Sequence, residues 1–287
     1  MEKRKRLKEL IRSTEIMVAP GAYDALSAKL VEAVGFKAVY MSGFATAASI
    51  FGLPDIGLLT MTEMVANAKR MADAVTIPVI ADADTGYGNH LNVVRTMEEY
   101  EKAGIAGIQI EDQMSPKKCG HMEGHKLIPL EDMVAKIRAA LLARKDPDMV
   151  VIARTDAISA EGFEAAIHRG NRYREAGADL LFIEAPTTLD QMGKIPKVIN
   201  GPVLINVAPK TPYLHVKKYE DMGYAVAIYP PISITTAYAA IREVLTELRK
   251  DGMTKKGVHG GVPFDELLEF LGLNKYRALE EKALEGM

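Results

Sequence analysis

The chain has 287 residues, 48% hydrophobic and 26% charged, enough apolar material for one large core or two small ones. Lysine plus arginine number 36 against 38 aspartate plus glutamate, a formal net charge of −2, which leaves no basic footprint for nucleic acid. A single cysteine excludes an intramolecular disulfide and fits a reducing, cytoplasmic setting, and no stretch approaches the roughly 18 to 20 apolar residues of a membrane span.

The basic start, Met1 to Lys8, runs into Glu9-Leu10-Ile11-Arg12 rather than an apolar segment with a cleavage site. It reads as an amphipathic helix over 3–13 and not as a secretory signal. Ile16 to Gly21 is a first strand stopped by Pro20-Gly21, and 23–34 is a helix with Leu26, Leu30, Val31 and Val34 on one face, closed by Gly35. Ala38 to Met41 is a second strand ending at Ser42-Gly43-Phe44. A connection through Gly52-Leu53-Pro54-Asp55-Ile56-Gly57 leads to a helix over 62–74, with Thr60 or Thr62 as its cap. Ile77 to Asp82 is the third strand, 90–103 a helix, and Gly107 to Glu111 the fourth strand.

The pattern repeats with helix 130–145, strand 150–154, helix 161–176, strand 180–184, helix 188–199, strand 203–206, helix 214–222, strand 225–228 and helix 233–250. Short continuous apolar strands are buried on both faces, as in a parallel sheet. Eight of them alternating with helices favour a closed (β/α)8 barrel of TIM type over an open doubly wound sheet. The chain reads as one domain over 1–287, with 251–287 a helical extension carrying short helices near 264–271 and 274–284.

Active sites on such barrels sit at the C-terminal strand ends. Those ends deliver Ser42-Gly43, Asp82 with Asp84, Glu111, Arg154, Glu184 and Asn206 to one rim. Several converging acids repel one another unless a cation holds them, and with no excess of nearby basic residues the simplest cation is a metal. Asp82 and Asp84 are two apart, so an extended backbone points both carboxylates the same way. Such hard oxygen ligands suit Mg²⁺ or Mn²⁺. Asp84 can equally be a turn residue before Thr85-Gly86. Arg154 suits bidentate recognition of a carboxylate or phosphonate, or else pairs with Glu184.

The polar loop Lys117-Lys118-Cys119-Gly120-His121 carries the only cysteine between two lysines and a histidine, an arrangement expected to lower a thiol pKa. One cysteine without a second ligand pair at known spacing argues against zinc and for a mobile catalytic thiol. Gly86-x-Gly88 lacks the third glycine of a dinucleotide fingerprint. His168, His215 and His259 read as helix or tail surface residues.

The segments Tyr40-Met-Ser-Gly-Phe44, Gly52-Leu-Pro-Asp55, Asp82-Ala-Asp-Thr-Gly-Tyr-Gly-Asn89, Ile110-Glu-Asp-Gln113, Lys117-Lys-Cys-Gly-His121, Ala153-Arg-Thr-Asp156 and Phe182-Ile-Glu-Ala185 stand in family order over about 18–230. By them the sequence resembles the isocitrate lyase and phosphoenolpyruvate mutase superfamily, within it the short lyases of 2-methylisocitrate or 2,3-dimethylmalate. The resemblance implies a barrel whose final helix is exchanged between subunits, a homotetramer, and Mg²⁺ near Asp55, Asp82, Asp84 and Glu111, partly through water. It also implies a small di- or tricarboxylate substrate, its keto acid end held by Ser42, Gly43, Arg154 and Asn206. Glu184 would support Arg154 or the cysteine loop, and Phe44 and Gly120 would border the substrate. Cys119, with Lys117 and His121 on its loop, would protonate the carbanion left by carbon–carbon cleavage. The base would be a metal-bound water or Glu111.

Three positions depart from the family pattern. His125, followed by Lys126, stands where Lys is usual after Gly124, so the local carboxylate contact is expected to differ. Asn206-Val-Ala-Pro209 lacks a hydroxyl two residues after the asparagine, and Phe44 replaces a small residue, so the acid pocket is expected to be reshaped. The alternatives are a phosphonomutase, phosphonopyruvate hydrolase or oxaloacetate hydrolase on the same scaffold, and a non-catalytic carboxylate-binding barrel.

Overall fold

Strands of three to six residues, buried at nearly every position, cannot stand as an open ribbon and must close on one another or be covered. In the computed structural model, which describes residues 2–255, 257–258 and 260–285, they close. The strands β1 (Met17–Ala22), β2 (Val39–Met41), β3 (Val79–Asp82), β4 (Gly107–Glu111), β5 (Val150–Thr155), β6 (Leu180–Ile183), β7 (Val203–Asn206) and β8 (Val226–Tyr229) pair in parallel in chain order, and β8 returns to β1. The expected eight-stranded parallel barrel is therefore present.

Its core has two layers. Side chains at alternate positions fill the barrel, among them Met17, Tyr40, Ile80, Ile152, Phe182, Leu204 and Ile228. Leu7 and Ile11 from helix α1 (Glu2–Ile11) join this inner cluster and plug the barrel. The opposite alternation packs outward against helices, with Met41, Val79, Ile108, Val151 and Leu181 in the second layer. Advancing two residues along the inner phase leads from Ile80 to Asp82, from Ile152 to Arg154, from Phe182 to Glu184 and from Leu204 to Asn206. The polar rim is thus the top storey of the same inward-facing columns.

Most helices follow the expected bounds within two residues. After β1, α2 (Ala25–Ala33) is capped by Asp24 and Ser27 in a reciprocal pair. Its face departs from expectation: Val31 is buried, whereas Leu26, Leu30 and Val34 are exposed. The segment read as a plain connection after β2 is helical, α3 (Gly43–Thr46) followed by a π turn over Ala47–Phe51. Ser42 starts it by accepting from the Ala45 N–H at 3.2 Å. Thr60 caps α4 (Met61–Ala74), as expected of one of the two threonines. The remaining helices are α5 (His90–Lys102), α6 (Leu130–Ala143), α7 (Ala157–Ala160), α8 (Phe163–Glu175), α9 (Leu189–Val198), α10 (Val216–Met222), α11 (Ile232–Asp251), α12 (Phe264–Phe270) and α13 (Leu273–Leu284).

His168 is exposed on α8 and His215 is exposed at the N-cap of α10, while His259 lies outside the described residues. The chain forms two compact units, one ending at Ile234 and one starting at Thr235. Among the described residues, no helix is long and apolar enough to cross a membrane.

Barrel closure leaves little room at Gly21 of β1, where an added Cβ would lie 2.3 Å from the backbone oxygen of Pro230. Gly21→Ala is expected to cost about 1–3 kcal/mol, the usual range for overpacking. Urea unfolding should show a lower midpoint at unchanged slope; an unchanged midpoint would mean the β1–β8 seam yields freely.

Candidate active site

Arg154, from the end of β5, sits at the centre of the rim and is 7% exposed. Its Nε and Nη2 donate to the two oxygens of Asp156 at 2.9 and 2.8 Å. Nη1 stands 3.2 Å from Glu111 Oε2 and Nη2 3.4 Å from Glu184 Oε2, while the guanidinium lies 5.1 Å from the Phe182 ring centroid. Burial opposes its charge, but Asp156, Glu111 and Glu184 outweigh burial and raise its pKa well above the arginine range. The expected pairing with Glu184 exists, yet the bidentate partner is Asp156, which the sequence reading did not single out. Asp156 stands two residues after Arg154, the same spacing that drew attention to Asp82 and Asp84.

The second cation is Lys117. Its ammonium pairs with Asp55, and it reaches Asp84 Oδ1 at 2.7 Å. Burial works against this charge too, and Asp84, Glu111 and Asp55 overcome it, so Lys117 stays protonated. The expectation that few basic groups stand near the acids is corrected here: two buried cations thread the cluster. A further correction concerns Asp84. The strand ends at Asp82, and Asp84 has φ +46°, so the pair does not lie on extended backbone. The Asp84 N–H folds back to donate to Asp82 Oδ1 at 3.0 Å. Both carboxylates nevertheless face Gly43, where a Cβ would come within 2.8 Å of Asp82 Oδ2. Gln109, unnoticed in the sequence, links the OH of Tyr40 (2.8 Å) to Asp82 Oδ1 (3.3 Å).

Burial and the neighbouring Asp84 raise the Asp82 pKa to about 6, against the pull of Lys117 and Arg154. Burial raises Glu111 well above the carboxylate range, only partly countered by Arg154 and Lys117. Glu111 Oε1 and Asn206 Oδ1 are buried without a hydrogen-bond partner, a costly state that a bound ligand would relieve. Asn206 otherwise donates to Glu184 at 3.0 Å.

The cysteine loop is folded onto this rim. The Cys119 N–H donates to the Asp55 carbonyl at 3.0 Å. Gly120 lies so close that a Cβ would meet Arg154 Nη2 at 2.3 Å. His121 Nε2 is 3.4 Å from Glu184 Oε1, and its Nδ1 accepts from the Lys210 N–H at 3.2 Å. Burial lowers the His121 pKa, opposed by Glu184. The expected lowering of the Cys119 pKa is not found. Burial pushes the thiol up, in part offset by the His121 backbone N–H. Its two lysines are spent elsewhere: Lys117 on Asp55 and Asp84, Lys118 reaching the Glu123 carbonyl at 3.4 Å. Phe44, half-buried on α3, lies one residue beyond Gly43. Beside the Lys117–Asp84 pair opens a cleft of about 940 Å³, also lined by Thr60, Tyr87, Arg95 and Lys136.

Comparison with known proteins gives this rim a context. The family model described as phosphoenolpyruvate phosphomutase matches residues 7–249. The chain is 46% identical to 2,3-dimethylmalate lyase of Eubacterium barkeri, covering 98% of each sequence. It is 42% identical to 2-methylisocitrate lyase of Aeropyrum pernix, covering 94% of this chain and 87% of the relative. Among solved structures, oxaloacetate acetylhydrolase in complex with 3,3-difluorooxalacetate superposes with a TM-score of 0.93 at 35% identity, over 98% of this chain and 97% of the other. Phosphonopyruvate hydrolase in complex with oxalate and Mg²⁺ does so with a TM-score of 0.90 at 34% identity, over 99% and 100%. With a matched model over most of its length and relatives aligned nearly end to end, the chain belongs to the phosphoenolpyruvate phosphomutase family.

Proposed function

We propose that this chain is a Mg²⁺-dependent carbon–carbon lyase that cleaves a 2,3-dimethylmalate- or 2-methylisocitrate-like hydroxy acid to an α-keto acid, pyruvate or glyoxylate, and a second carboxylic acid. The observation that carries the reading is the loop of the half-buried Cys119, folded onto the acid-and-arginine rim with Gly120 against Arg154, where burial pushes the thiol up. Named lyases among the relatives support the same class.

The chemistry balances on these groups. A base takes the proton of the substrate hydroxyl, the bond between the carbinol carbon and the carboxylate-bearing carbon breaks, and its electron pair stays on the latter as an enediolate. Cys119 Sγ–H gives its proton to that carbon, and the hydroxyl proton restores the thiol. The base is Glu111, whose carboxylate ends β4 on the same rim, or a water held there. Arg154, with Ser42, Gly43 and Asn206, holds the keto acid end, and Glu184 orients both Arg154 and His121. A loop closed over the acid also keeps water from the carbanion.

Among the described residues, no three His, Cys, Asp or Glu side chains form a group that grips a metal ion directly. The donor set of Asp82, Asp84 and Glu111, with Asp55 near, still fits Mg²⁺, which keeps several waters and takes one or two carboxylates. The unpartnered Glu111 Oε1 is consistent with such use. Mn²⁺ would suit the same oxygens. Bound there, the ion would stabilise negative charge on the keto acid oxygens.

The proposal extends to assembly as a homotetramer, as one domain per chain with its C-terminal helices exchanged between subunits, working in the cytoplasm. Helix α11 has no buried residue, and Tyr238, Ile241, Leu245 and Leu248 recur at helical spacing while exposed.

Pyruvate release from 2,3-dimethylmalate or 2-methylisocitrate, or glyoxylate release from isocitrate, should require Mg²⁺, cease with a chelator, and fall by at least about 100-fold in Cys119→Ser. Turnover of oxaloacetate or a phosphonate that ignores Cys119 would instead favour the hydrolase or mutase reading. Because burial raises the thiol above its ordinary value of 9.0, alkylation of this single cysteine should still be climbing with pH beyond 9. A rate already level by pH 8 would contradict a protonated acid. Light scattering should report four chains per particle, and Leu245→Glu should yield smaller species; a native monomer would overturn the assembly.

A further inference from the structure

The position of the Cys119 thiol is set by its own backbone and that of Lys118, and each polar group of these two residues has a partner. Gln113 takes both groups of Lys118, accepting from its N–H at 2.9 Å and donating to its carbonyl at 2.8 Å. The Cys119 N–H is held by Asp55, and the Cys119 carbonyl accepts from the Met122 N–H at 2.8 Å. The other lone pair of that carbonyl faces His125 Nε2 at 3.1 Å. His125 is only 9% exposed, and its Nδ1 is 2.9 Å from Ser159 Oγ on α7. Ser159 Oγ also lies 3.1 Å from the Asp156 carbonyl, so its one proton goes either there or to the ring, and Asp156 is the clamp of Arg154.

His125 itself belongs to the anchored return of the loop. The Met114 N–H donates to the neighbouring Lys126 carbonyl at 2.7 Å, and Gln113 pairs with Leu127 as an isolated bridge. A rigid ring therefore spans from the fixed base of the loop to its tip, steadied by α7. The carbonyl can only accept, so the ring must carry its hydrogen on Nε2, and Nδ1 then accepts the Ser159 hydroxyl proton in place of the Asp156 carbonyl.

We propose that His125 is the positioning residue of the thiol: its Nε2–H holds the Cys119 carbonyl, and Ser159 orients the ring, so that the loop is latched to the helix following the Arg154 clamp. The departure from lysine at this position thus replaces one contact with another. The inference rests on the lyase reading only for its kinetic arm.

Two near-isosteric variants separate the nitrogens, since a glutamine amide can stand where Nε2 stands and an asparagine amide where Nδ1 does. With iodoacetamide at one fixed pH, His125→Gln should leave Cys119 alkylation within about twofold of native. His125→Asn, His125→Ala and Ser159→Ala should each raise it roughly two- to tenfold, the range expected from losing one hydrogen bond. Where the protein turns over a hydroxy acid, kcat should fall in the same order with KM within about twofold, because His125 touches the loop and not the acid. The order of alkylation rates needs no substrate, so it stands or falls separately from the lyase reading. Equal rates in native, His125→Asn and His125→Ala protein, or a His125→Gln rate as fast as that of alanine, would overturn the assignment.

Discussion

The rest of the rim depends on one buried guanidinium. Closing eight strands brings Asp82, Glu111, Glu184 and Asn206 to the same storey as Arg154, with Asp156 one turn of chain beyond. Four carboxylates crowded and desolvated would not all stay ionised; their repulsion is relieved where Arg154 meets three of them. Taking one partner from such a buried group costs about 3–5 kcal/mol, because the charges left behind have no water to turn to. Arg154 is therefore both a support of the barrel mouth and the group we assign to the substrate carboxylate.

Lys117 extends the same compensation to the other side, and in doing so ties the loop to the barrel. It precedes the cysteine by two residues, so the ion pairs with Asp55 and Asp84 draw the thiol toward the rim. Gly120 on Arg154 and His121 on Glu184 complete the closure. Charge balance and loop position are linked: Asp55 and Asp84 obtain their cation from the segment carrying the thiol. The cost is that no lysine remains to stabilise a thiolate, which suits a group that must arrive protonated.

Much of this was legible in the sequence. Continuous apolar runs bounded by glycine gave the strands, and their polar ends gave the rim, because period-two inward columns simply change from apolar to polar near the top. The partners of charged groups were not legible. Lys117 and Lys118 flank Cys119 in sequence, yet in space they turn to Asp84 and to a carbonyl, which reverses the direction of the thiol shift. Asp156 escaped notice because its role is to hold Arg154. Ser42 and Gly43 read as contacts of the substrate's keto acid end, and the spacing did not show that the serine also caps a short helix whose first residue must be glycine to clear Asp82. Leu26, Leu30 and Val34 share a helical face as their spacing says, but spacing alone does not tell whether one chain covers that face.

The central claim is that the half-buried Cys119 thiol, and not solvent, quenches the carbanion. Cleavage of the accepted hydroxy acid in D₂O, with the released carboxylic acid analysed for the configuration of its new C–D bond, tests this directly. A thiol fixed on one face of the enediolate predicts one deuterium of a single configuration. A product deuterated equally on both faces would mean that water reaches the carbanion and would contradict the account.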